Sequence, residues 1–186
     1  MLAPMPVFSN QMPLGSALIP FSLPGTDGKT YSDASFKDAR VLVVIFTCNH
    51  CPYAKAVEDR LVAIQRDYRD KGVALVAINP NDATKYPEDG FDAMKVRATE
   101  KSFNFPYLRD ETQAIARAYD AACTPDLFVF DESRHLVYNG RIDDNWKEPE
   151  NVTKHELREL LDATLAGTQV DFEHVPSMGC SIKWLP

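Results

Sequence analysis

The sequence predicts an α/β domain in which a central mixed β-sheet carries helices on both faces. Three observations support this. VLVVIF at 41–46 and VALVAI at 73–78 are strand-length runs with no polar alternation, as expected of strands buried on both faces. Between them, Ala54, Val57, Leu61, Ile64 and Tyr68 recur at helical spacing, which gives the strand–helix–strand order of a right-handed crossover. Further on, LFVFD (127–131) and HLVYNG (135–140) flank Glu132-Ser133-Arg134 as an antiparallel hairpin, so parallel and antiparallel pairs meet in one sheet.

The remaining elements follow in order. ALIPFSLPGTDGKTY (18–32) is a short hairpin, with Gly25 and Asp27-Gly28 supplying the turn. Gly72 stands where the first helix needs a stop. NPNDATKYPEDG is a turn-rich loop that leads into a weaker helix from about Phe91 to Phe103. Asp110 caps a helix, with Gln113 three residues on and Ala114, Ile115, Ala118 and Tyr119 along one side. Thr153 and Glu156 form a capping-box pattern before Leu157, Leu160, Leu161 and Leu165, and Gly167 ends that helix. Residues 1–14 are an N-terminal extension, 15–166 the domain, and 167–186 an extended tail with a cysteine at 180.

Composition narrows the function. A chain of 186 residues with 45% hydrophobic content can bury a full core as one compact domain. Twenty basic against twenty-seven acidic side chains give a formal charge of −7, a field that repels nucleic acid and anionic membrane surfaces. The longest apolar runs are far too short to span a bilayer. MLAPMPVFSNQMPLGSALIP lacks the charged start and apolar core of a secretory signal, so a cytoplasmic location is expected. In such a compartment four cysteines are not a disulfide scaffold, and a close pair is catalytic or metal-binding.

The close pair is Cys48-x-x-Cys51 in FTCNHCPYAK, at a strand-to-helix junction. Free N–H groups and the helix dipole there favour a thiolate, so a low pKa is expected for Cys48, with His50 as a cation beside it. Cys51, one turn later, is expected to be the more buried and near enough to close a disulfide. Pro52 suits a first helical turn. A structural zinc site would need four ligands, whereas Cys123 and Cys180 stand alone, and copper(I) would need a third ligand that no histidine supplies convincingly. Redox exchange is therefore favoured over metal binding. His135, His155 and His174 are scattered and read as ordinary surface or satisfied residues.

Together with FSLPGTDGKTY, FNFPYLRDETQAIARAY, CTPDLFVFD and YNGRID, this motif resembles the redoxin branch of the thioredoxin-like superfamily, near the alkyl hydroperoxide reductase and thiol-specific antioxidant family, over about residues 15–166. The resemblance implies a thioredoxin-like fold and a cis peptide at Thr124-Pro125 opposite the cysteines. Thr124 and Pro125 would then receive a substrate strand by edge pairing. It also implies a thiol–disulfide oxidoreductase that acts on a protein or small-molecule disulfide or thiol and needs no cofactor: Cys48 attacks and Cys51 resolves. The alternative is a peroxiredoxin-like peroxidase using Cys51 or Cys48 on a hydroperoxide. Peroxiredoxins place threonine three positions before the reactive cysteine, and Cys48 occupies that position here. Cys123, beside Thr124, is as plausible a small buried residue as a redox group. Cys180, expected as an exposed thiol on a mobile tail, could resolve a mixed disulfide at Cys48 or pair with Cys123.

Overall fold

The computed structural model describes residues 5–186, so residues 1–4 of the N-terminal extension lie outside the described residues. Among the described residues, ten strands and four α-helices follow one another: β1 (Val7–Phe8), β2 (Ser22–Pro24), β3 (Thr30–Ser32), β4 (Val41–Phe46), α1 (Pro52–Tyr68), β5 (Val73–Asn79), α2 (Phe91–Glu100), β6 (Tyr107–Arg109), α3 (Ala114–Ala118), β7 (Cys123–Thr124), β8 (Asp126–Phe130), β9 (Leu136–Gly140), α4 (Glu156–Leu165) and β10 (Met178–Ser181).

The main sheet has the order β6-β5-β4-β8-β9, with β4 parallel to β5, β5 parallel to β6, and β8 antiparallel to both β4 and β9. β4 is central and wholly buried, and its side chains divide between two cores. Val41, Val43 and Ile45 face one side with Leu61 of α1, Met94 of α2 and Leu160 of α4. Leu42, Val44 and Phe46 face the other with Ala116 of α3, Phe21 and Tyr119. That two-sided burial is why these strands carry no polar alternation.

The sequence expectations meet three differences. β6 was hidden in FNFPYLRD, because a three-residue edge strand is too short to display a period. The capping box at Thr153 does not form. α4 starts at Glu156 with His155 as N-cap, the Thr153 hydroxyl bonds to Asp144 instead, and Arg141 holds the Glu156 carboxylate at 2.6 Å. Gln113 rather than Asp110 is the N-cap of α3, its side chain bonded to the Pro80 and Lys183 carbonyls, while the Asp110 carboxylate accepts from the Ala116 amide at 2.8 Å; Gly72 and Gly167 take the left-handed conformation expected of their stops.

The tail folds back. β10 lies between β1 and β7 in a second, three-stranded antiparallel sheet, with Cys180 opposite Thr124 and Ser181 opposite Cys123. Beyond it, Ile182 is buried in the second core, its amide bonded to Ala122, and Trp184 stacks under Arg117. Ile182 and Trp184 thus anchor the tail, which is pinned and not mobile as the sequence suggested.

Candidate active site

Pro52 sets the geometry. As the first helical residue, with no N–H to satisfy, it places the helix entrance one residue after Cys51, so Cys51 is the N-cap of α1 and Cys48 lies in the loop behind it. The two cysteines pack in one buried cluster, and Thr124 meets both: its hydroxyl lies 3.2 Å from Cys48 Sγ, and its carbonyl accepts from the Cys51 thiol at 3.2 Å. The Thr124–Pro125 bond is cis, as the resemblance implies. Cys48, Cys51 and Cys180 form one buried cluster with Tyr53 and Ala54, and the Trp146 ring covers Tyr53 with centroids 4.2 Å apart. All four cysteines are free thiols.

The charges fall opposite to the expectation for Cys48. The Cys51 thiol is drawn down to about 5, first by the hydrogen bond from Cys48, then against burial by the Cys180 thiol and by the amides of Ala54 and Cys180. No close capping bond is involved, so the amides act at longer range. The Thr124 carbonyl is the contact that opposes this charge. Cys48 is pushed well up by burial, by its contact with Cys51 and by the nearby Asp89 carboxylate. A low Cys48 pKa is thus corrected: the helix entrance lies at Cys51, and Cys48 is buried behind it. Nor is Cys51 distinctly the more buried of the two, since Cys48 is 1% and Cys51 0% exposed.

His50, expected as a cation beside Cys48, is paired with Asp89. Its Nδ1 lies 2.5 Å from Asp89 Oδ2, its ring stacks on Tyr86, and the bond to Asp89 raises its pKa. Cys48 Sγ, a His50 nitrogen and an Asp89 oxygen all lie within 4.8 Å of one another, so the sulfur meets an ion pair of little net charge. Both Asp89 oxygens are otherwise taken, one by the Asn49 amide (2.6 Å) and Asn79, the other by Asn81 (3.0 Å). Burial pushes this carboxyl up, but His50, the Asn49 amide and Asn81 together hold it below its ordinary value. With every lone pair committed, the trio is built as a hydrogen-bonded brace rather than an open ligand set. Asp89, Asn79 and Asn81 were missed in the sequence because they lie in the turn-rich loop and at the end of β5, and only the fold brings them to Asn49 between the cysteines.

Thr124 does not present an open edge: β10 already pairs with it. Gly179 permits this, since a Cβ there would run into the Thr124 carbonyl oxygen. Cys180 is 5% exposed, which corrects the expectation of an exposed tail thiol. Cys123 is also fully buried, donating weakly to the Pro125 and Ser177 carbonyls, and burial raises its pKa.

Comparison with known proteins bears on this geometry. The family model described as Redoxin matches residues 4–158. The chain belongs to the redoxin family. Among solved structures, this redoxin is similar to an uncharacterized conserved protein from Geobacillus kaustophilus, with 47% identity and a TM-score of 0.93 over 100% of this chain and 99% of that one. It is also similar to a hypothetical protein from Sinorhizobium meliloti 1021, at 41% identity and a TM-score of 0.90 over 96% and 98%. A candidate thiol:disulfide interchange protein DsbE from Chlorobium tepidum shares the fold at 22% identity, with a TM-score of 0.66 over 83% and 99%. None of the curated proteins compared matches the chain. No described helix is long and apolar enough to cross a membrane.

Proposed function

We propose that this redoxin is a thiol–disulfide oxidoreductase whose working couple is Cys48 and Cys51. The observation that carries the reading is geometric: Cys48 and Cys51 pack in one buried cluster at the start of α1, and both sulfurs meet Thr124 beside the cis Pro125, with Cys51 the thiol that is drawn down. The Cys51 thiolate attacks one sulfur of a substrate disulfide and forms a mixed disulfide, and the other substrate sulfur leaves as a thiolate that takes a proton. Cys48 then loses its proton and attacks Cys51 Sγ, which closes Cys48–Cys51 and releases the second substrate thiolate. Attack and resolution are therefore exchanged relative to the order expected from the sequence. Exchange between sulfurs uses no cofactor, and the same steps reversed oxidise a dithiol. Because β10 covers the Thr124 edge, a small disulfide fits this site more readily than a protein strand. Thr124 and Pro125 would contact the substrate when the cover opens.

A second reading, thiol peroxidase, is favoured by one observation: the anionic sulfur is Cys51, the position a peroxiredoxin uses. Its thiolate would attack a hydroperoxide oxygen, becoming a sulfenic acid as the alcohol departs, and Cys48 would condense with it to release water.

Turnover of glutathione disulfide and of a hydroperoxide, each for wild type, Cys51→Ser and Cys48→Ser, tests both. The first reading expects wild type to turn over the disulfide and form Cys48–Cys51, with Cys51→Ser inactive. Loss of hydroperoxide turnover alone on Cys51→Ser, with no exchange activity in wild type, would replace it with the second.

A further inference from the structure

We infer that Cys180 is a third redox cysteine that acts on Cys51, so that the tail strand supplies a second resolving thiol. This deepens the reading above and rests on Cys51 being the sulfur that forms mixed disulfides. Cys180 is held where such a role needs it. It lies in β10 directly opposite Thr124, whose carbonyl is 3.2 Å from Cys51 Sγ. Its side chain packs with those of Cys51 and Cys48 in one buried cluster, and its thiol and backbone N–H both help to draw the Cys51 thiol down.

The position is fixed from several sides. β1 pairs with one side of β10 and β7 with the other, Gly179 lets the strand press against the Thr124 peptide, and Ile182 anchors the chain two residues beyond. Downstream, the Lys183 carbonyl accepts from Gln113 and from the Asp82 amide, and the Lys183 amide donates to Asn81. The thiol is therefore delivered by rigid structure, and reaching Cys51 asks for side-chain movement more than movement of the tail. Cys123, on the neighbouring strand, is engaged with the Pro125 and Ser177 carbonyls instead.

Burial and the contact with Cys51 raise Cys180 to about 12, so in the reduced state it is a proton-bearing donor to the Cys51 thiolate, as Cys48 is. Once Cys51 is oxidised, the same proximity turns each donor into an attacker. In the exchange, Cys180 gives up its proton and its sulfur bonds to Cys51 Sγ. The Cys48–Cys51 bond breaks, and Cys48 leaves with the electron pair and takes up a proton. No net oxidation occurs, and Cys48 is freed. In a mixed disulfide at Cys51, the same attack releases the substrate thiolate.

The test uses the full chain with glutathione disulfide as oxidant. Trypsin separates Cys51, in the peptide 41–55, from Cys180, in 159–183. In Cys48→Ser, the expected product is a Cys51–Cys180 linked peptide pair, with bound glutathione lost at least tenfold faster than from the double variant Cys48→Ser/Cys180→Ser. Cys48→Ala serves as a second background, and thermal melts of the reduced proteins check folding. If Cys180 stays free to alkylation in both backgrounds, whether or not Cys51 carries glutathione, the inference is overturned. Failure of the underlying couple shows separately, as wild type that forms no Cys48–Cys51 disulfide under the same oxidant.

Discussion

The surroundings of Cys48 and of Cys51 differ more than three residues of separation would lead one to expect. Cys51 sits at the mouth of α1 and collects donors: two neighbouring thiols and two amides. Cys48 sits behind it against the Asp89 brace and collects reasons to stay neutral. In this C-x-x-C pair the difference follows the donors each sulfur meets: the Cys48 thiol contributes most at Cys51, and Pro52, by starting the helix just after the second cysteine, adds the lesser help of the Ala54 amide.

The largest effect that can break this comparison is on thiolate content. A thiol at about 5 is almost fully ionised at pH 7, whereas one near 9 is about 1% ionised, so Cys51→Ser should lower thiolate absorbance on the order of a hundredfold at that pH. Cys48→Ser should retain it. Absorbance that persists in Cys51→Ser and vanishes in Cys48→Ser would invert the assignment.

The next largest effect belongs to the brace. Asp89→Asn leaves the Asn49 amide and the Asn81 side chain facing a neutral amide and removes the partner of His50. Urea unfolding should register a loss of about 2 kcal/mol, the usual scale for bonds to a buried charged group. The sign with pH is determined by the depressed Asp89 pKa. The wild-type advantage is present above the unfolded carboxyl value near 3.8 and fades as pH falls through the lower folded value. His50 behaves in reverse: its raised pKa stabilises below about 6.5 and is lost as pH rises through the folded value. In Asp89→Asn, its NMR titration should move downward, and an unmoved His50 would show that the pair does not control it.

The difference between the two halves of the site also accounts for what was legible in the sequence. β4, α1, the hairpin of β8 and β9 and the Cys48/Cys51 motif were readable because each is local: a period, a cap or a spacing within a dozen residues. The chain from Cys123 to Pro125 was readable through family resemblance. Asp89 was not, because an aspartate in YPEDG has the look of turn chemistry until the fold carries it 40 residues back to Asn49. Nor was the tail. Val7, Thr124 and Gly179 lie far apart in sequence, and strands of two to four residues bear no period. Gly179 was the available clue, since a glycine before a cysteine can mark a close backbone approach as well as flexibility.

That clue supplies the third prediction. Gly179→Ala should drive β10 off the Thr124 peptide and expose the cluster, speeding iodoacetamide alkylation of Cys48 and Cys51 in the folded protein about tenfold, or roughly 1.4 kcal/mol less cost for local opening. Unchanged alkylation would mean that the strand does not limit access, and the contrast between an open motif and its cover would lose its meaning.

The smallest effect sharpens the comparison most, because it asks whether the two sulfurs define each other. The Cys48 thiol is the leading contributor to the low Cys51 value. Cys48→Ser keeps an O–H donor, while Cys48→Ala removes it, so the alanine variant should titrate Cys51 roughly one unit higher than the serine variant. At neutral pH that changes the thiolate population by only about a tenth, since a group near 6 is still mostly ionised at 7. The separation opens in acid, between pH 5 and 6, where the serine variant should hold its thiolate and the alanine variant should have lost much of it. Coincident curves would mean that the helix entrance alone ionises Cys51. Cys48 would then be a resolving thiol that happens to stand nearby, rather than the donor that prepares its partner for attack.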